Sequence, residues 1–108
     1  MREIKFRAWN RFMKRMEATR EFDATDYPVM QFTGLFDISG KEIYEGDIIR
    51  MDKNCLLDQG YVTRTVGFKD GCFVSIESRC NLVTIVNGFR PVVIGNIHEN
   101  PELLELAP

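Results

Sequence analysis

The alternation of apolar and polar positions is clearest at the N-terminus. In residues 2–9, REIKFRAW, Ile4, Phe6 and Ala8 share one face, and Glu3, Lys5, Arg7 and Trp9 share the other. That period of two predicts a strand with its apolar face buried and its charged face mostly wet. Residues 10–17, NRFMKRME, fit either a second strand or a helical turn. Residues 18–28, ATREFDATDYP, are polar and end in proline, which predicts a loop. Val29–Phe32 is strand-like and Gly34 punctuates it. Asp37-Ile38-Ser39-Gly40 signals a turn, in which Asp and Ser supply local hydrogen bonds. Glu45-Gly46-Asp47 is a second tight corner, after which Ile48, Ile49 and Met51 start a strand.

Residues 53–60, KNCLLDQG, read as a loop, and residues 61–68, YVTRTVGF, are rich in β-formers. Lys69-Asp70-Gly71 predicts a hairpin turn. Cys72, Val74 and Ile76 then form the inward face of the returning strand. Asn81–Val86 fits a strand or a helical turn, and Pro91–Ile94 is a strand bounded by Gly95. At the C-terminus Asn100 can cap a helix, Pro101 suits its first position, and Leu103, Leu104 and Leu106 give it an apolar side. Short strands at close spacing, joined by Gly- and Asp-bearing turns, predict a mainly β fold closed as a small barrel.

Composition adds bounds. The chain has 108 residues, of which 44% are hydrophobic and 28% charged, enough for one ordinary globular core. No apolar run reaches the roughly 18 residues of a membrane helix, and the N-terminus is charged throughout. The expectation is a cytoplasmic protein with no membrane contact. Cys55, Cys72 and Cys80 are odd in number, which suits reduced thiols. Without a CxxC pair, and with His98 as the single histidine, no zinc site and no cofactor are expected.

Charge is unevenly spread. Residues 1–20 hold seven basic residues against two acidic ones, a local balance of +5, whereas residues 21–108 balance to −7. Such asymmetry suits a nucleic-acid-facing end, or an attraction between the two parts within or between subunits. Arg2, Lys5, Arg7 and Arg11 around Trp9 are the candidate contact residues. Positive side chains interleaved with an aromatic suit single-stranded nucleic acid, although the pI near 5.4 is low for such a binder. Open strand edges, at the N-terminal strand or in the Val83–Ile94 region, favour self-association instead. Glu42, Glu45 and Asp47 form a local acidic group that reads as a solvated corner. His98-Glu99 lacks a nucleophile motif nearby, and no P-loop, GxSxG, GxGxxG or HExxH is present.

Three blocks, MREIKFRAWN, FTGLFDISGKEIYEGDII and VIGNIHENPELLE, together resemble the YopX family of small proteins encoded by temperate phages and prophages. They cover about 41 of the 108 residues. The resemblance implies an SH3-like barrel over residues 29–108, preceded by an extra N-terminal β segment and variable loop over 1–28, and ending in a short helix. It implies a phage or prophage protein of uncharacterised function in a bacterial cytoplasm, and it brings no catalytic residues. Thr33, Gly34, Leu35, Tyr44, Glu45, Gly46, Asp47, Gly95, Asn96, Asn100 and Pro101 carry the signature, and their expected role is structural. The expected function is a non-enzymatic protein-interaction or self-assembly module, as a homo-oligomer or with a phage or host protein. The alternative is a nucleic-acid accessory protein using the basic N-terminal strand.

Overall fold

The computed structural model describes residues 4–19, 28–52 and 61–105. The candidate Arg2, the heart of the 18–28 loop, the 53–60 loop with Cys55, and Leu106 lie outside the described residues.

Among the described residues, eight strands and two helices follow in the order β1 Phe6–Asn10, β2 Arg15–Thr19, β3 Val29–Phe36, β4 Glu42–Tyr44, β5 Asp47–Asp52, β6 Tyr61–Lys69, β7 Cys72–Ser75, α1 Leu82–Phe89, β8 Val92–Asn96 and α2 Glu102–Glu105. The ambiguous 10–17 segment is therefore half hairpin turn and half strand. Asn10 makes the turn: its Oδ1 accepts from the amides of Phe12 (3.1 Å) and Met13 (3.0 Å). Lys14 then takes a left-handed φ of 53° and delivers the chain into β2.

All strand pairs are antiparallel, in two four-stranded sheets ordered β2-β1-β3-β4 and β7-β6-β5-β8. The corner at Glu45-Gly46 passes the chain from one sheet to the other. Gly46 has φ +82°, donates to the Val66 carbonyl (2.8 Å) and accepts from the Ile97 amide (2.9 Å). A side chain there would also press on Met30 Sδ at 3.2 Å. Irregularities in register between Phe32 and Phe36, around Gly34 (φ 82°), and between Ile48 and Ile49 help curl the sheets. The result is mainly β and barrel-like, with a short C-terminal helix, as the sequence predicts.

Ile43, Ile49, Met51, Val66, Phe73 and Val93 fill the interior, and α1 closes it with Leu82 and Ile85. The 81–86 segment resolves to helix because Asn81 caps it, its side chain accepting from the Val83 amide at 2.8 Å. Leu82, Ile85, Val86 and Phe89 fall at helical spacing on the core side.

Two face assignments differ from expectation. Ile4 is 70% exposed, whereas the Arg7 side chain is only 14% exposed. The charged face of β1 thus turns inward, because a buried carboxylate waits there. On β7, Phe73, Val74 and Ser75 are all buried while Ile76 is exposed. The strand is covered on both sides near α1, so alternation breaks down. One strand, β4, had no signal, since three residues between two turns are too few to show a period.

Candidate functional site

The signature residues first explain themselves as a scaffold. Thr33 donates its hydroxyl to the Ile43 carbonyl at 2.7 Å and accepts from the Leu35 amide at 3.2 Å, bridging the irregular stretch of β3 to β4. Leu35 packs against the core. Asn96 Oδ1 accepts from the amides of His98 (3.0 Å) and Glu99 (2.9 Å) and holds the turn after β8. Asn100, expected as a helix cap, turns its Oδ1 back to the Asn96 amide at 3.3 Å. It lies so close over Gly95 that a Cβ there would sit 2.5 Å from Asn100 Oδ1. Pro101 follows, exposed, at the entrance to α2.

The acidic corner does not converge. Glu42 pairs with Lys5, Glu45 Oε1 accepts from the Gln31 amide at 2.9 Å, and Asp47 turns to Arg7. Each carboxylate holds a different piece of the fold.

The most organised polar cluster lies where β1 meets this corner. Arg7 donates from its guanidinium to Asp47 Oδ1, while Asp47 Oδ2 accepts from the Tyr44 amide at 2.7 Å. The guanidinium carbon also stands 4.4 Å from the centre of the Tyr44 ring, a cation–π distance. Lys5 pairs with Glu42 and lies 4.7 Å over the Phe32 ring. Trp9 and His98 lie with ring centres 5.8 Å apart and planes 14° from parallel. The alternation of β1 thus sends Lys5, Arg7 and Trp9 onto the body of the protein.

Burial sets the electrostatics here. It pushes the Asp47 carboxyl above the usual carboxylate range, although Arg7 and the Tyr44 amide pull the other way. Burial, and then the neighbouring Glu42, push the Tyr44 phenol up. His98 is held below its ordinary value by burial and then by the positive Arg7. The Arg7 Nε is buried without a hydrogen-bond partner. The His98 ring stacks on Trp9.

Asp37 is a site residue whose long-range role the sequence hides. Its Oδ1 accepts from the Ser39 amide and hydroxyl and the Lys41 amide, as a turn aspartate would. Its Oδ2 also accepts from the Val93 amide at 2.9 Å, which ties the β3–β4 turn to β8 in the other sheet. Burial alone would raise its pKa, but these four bonds outweigh it and hold the carboxyl below the usual range.

The hairpin tip is exposed. Arg11, Phe12, Met13 and Lys14 are all exposed, Phe12 by 77% and Met13 by 60%. Behind the tip runs an open groove of about 530 Å³, lined by Trp9, Lys14, Arg15, His98, Glu99 and Asn100. Among the described residues, β2 is the outermost strand of its sheet. Of the five basic-strand candidates, Lys5, Arg7 and Trp9 gather at the corner, Arg11 stands apart on the tip, and Arg2 is outside the described residues. Cys72 and Cys80 are free thiols.

Residues 15–105 match the family model described as YopX protein. The first of the three sequence blocks lies before that span. No curated protein matches the chain. Among solved structures, the crystal structure of protein EF1440 from Enterococcus faecalis is similar, with 28% sequence identity and a TM-score of 0.71 over 96% of this chain and 99% of that one.

Proposed function

The chain belongs to the YopX family, and from that premise we propose that it is a non-enzymatic protein-association module whose contact element is the β1–β2 hairpin. One observation carries the reading: two large apolar side chains, Phe12 and Met13, are held out in solvent by a turn that Asn10 fixes. Exposed apolar side chains grouped on a built projection suit a protein contact. β2 beside it, outermost in its sheet among the described residues, offers a strand edge to the same partner. The acidic corner supports the non-enzymatic half of the reading, because its carboxylates serve separate structural bonds.

The nucleic-acid alternative has less support in the geometry. It needs Lys5, Arg7 and Trp9 turned outward, yet Arg7 is buried against Asp47, Lys5 pairs with Glu42, and Trp9 lies against His98. We place the work in a phage or prophage process in the cytoplasm of a bacterial host, with either a second copy or a phage or host protein as the partner class.

The test compares wild type with Phe12→Ser/Met13→Ser as bait in nuclease-treated host lysate, alongside the mass of each pure protein at high concentration. The expected result is a protein complex or a homo-oligomer formed by the wild type and lost from the variant. Association that ignores the two substitutions, or none at all, overturns the reading.

A further inference from the structure

Resting on that reading of the hairpin, we propose that the groove behind the tip, together with the β2 edge, receives an extended acidic peptide segment of a partner protein. The charge of the surface points to it. Arg11, Lys14 and Arg15 fall within five residues, with Phe12 and Met13 between them. Lys14 and Arg15 line the groove together with the rings of Trp9 and His98, against one acidic lining residue, Glu99. The ion pair of Arg15 with Glu17 (2.9 Å) is exposed on both sides, so it contributes little and Arg15 is free to exchange it for an incoming carboxylate. Asn10 Nδ2 also donates to Glu17 at 3.2 Å, so Glu17 keeps a donor when Arg15 turns away.

Edge geometry selects an extended peptide. β2 begins at Arg15, in the groove lining, and among the described residues it is the outermost strand of its sheet. A peptide laid along it pairs with the backbone while its alternate side chains reach the groove. A polynucleotide lacks the regularly spaced amide donors and carbonyl acceptors that pair with a strand edge. A peptide need only place one or two carboxylates opposite Lys14 and Arg15.

Trp9 is the single tryptophan, so its emission reports the groove directly. The experiment titrates the whole protein with a short tryptophan-free peptide alternating Glu and Val, with a Lys/Val peptide and with an oligothymidylate. The Glu/Val peptide is expected to change Trp9 emission saturably and to raise hydrogen-exchange protection of the β2 amides. Lys14→Gln/Arg15→Gln, at exposed positions, is expected to weaken it at least tenfold, and the Lys/Val peptide to do nothing. Equal binding by that variant, a stronger response to the oligothymidylate, or an emission shift on concentrating the protein alone would each overturn the proposal. If peptide binding is absent while lysate capture still depends on Phe12 and Met13, the groove assignment fails alone. If both are absent, the association reading fails with it.

Discussion

Arg7→Met is the most informative single substitution. It removes the guanidinium and keeps most of the stem. Asp47, with a side chain 1% exposed, then faces the interior as an uncompensated carboxylate. Removing one partner of a buried pair costs about 3–5 kcal/mol. The 14% exposure of Arg7 and the retained bond from the Tyr44 amide argue for the lower end of that range. Loss of the contact with the Tyr44 ring adds about 0.5–1 kcal/mol. Loss of the unbonded buried Nε returns about 1 kcal/mol. The net is about 3 kcal/mol, or a drop in Tm of roughly 12 °C or more for a domain of this size. The sign of the pH dependence follows from Asp47. Burial already holds its folded-state pKa above the ordinary 3.8, and without Arg7 it rises further. A carboxyl raised in the folded state stabilises in its protonated form, fully below the unfolded value, and that contribution is lost as pH rises through the folded value. The deficit of the variant in urea unfolding should therefore shrink as pH falls from 7 towards 4. Asp47→Asn added to Arg7→Met keeps an acceptor for Tyr44 and should recover much of the loss. A deficit below about 1 kcal/mol, or one indifferent to pH, would refute the assignment of this pair as the clasp of the hairpin.

Asp37→Asn should lower stability at pH 7 by about 1–3 kcal/mol, since a buried acceptor of four bonds is weakened. Because the Asp37 pKa is depressed, its contribution is present above the unfolded value near 3.8 and lost as pH falls through the folded one, so the variant should show a flatter acid limb in urea titrations between pH 5 and 2. Gly95→Ala drives a Cβ into Asn100 and should cost about 1–3 kcal/mol in thermal unfolding, with part restored by Asn100→Ala. Gly67→Ala meets only Ile76, whose side chain is exposed and able to swing away, so its Tm should move far less than that of Gly95→Ala despite a shorter nominal contact of 2.0 Å.

Much of this architecture is written locally. The Asp70-Gly71 turn and the bonds of Asp37 to its own turn are short-range choices that the residue types announce. The faces of β1 are not, because the partner that draws Arg7 inward stands 40 residues away. Separation along the chain also hides the bond from Val93 to Asp37, which spans 56 residues. In α1 the helical spacing of Leu82, Ile85, Val86 and Phe89 competes with β-branched residues, and the packing onto the core decides it. The basic N-terminus was visible as a candidate site, but charge count alone could not separate Lys5 and Arg7, used inside, from Arg11, Lys14 and Arg15, displayed outside. Asn10, which builds that display, looks like any polar residue until its amide partners are seen.

The central claim is that the N-terminal hairpin meets protein at its tip and keeps Lys5 and Arg7 for the fold. Light scattering on size-exclusion fractions, with and without single-stranded DNA at low and at physiological salt, tests it most directly. The account predicts an unchanged mass with DNA at both salts. A mass gain that fades with salt and vanishes in Lys5→Glu/Arg7→Glu, with that variant still folded, would contradict it.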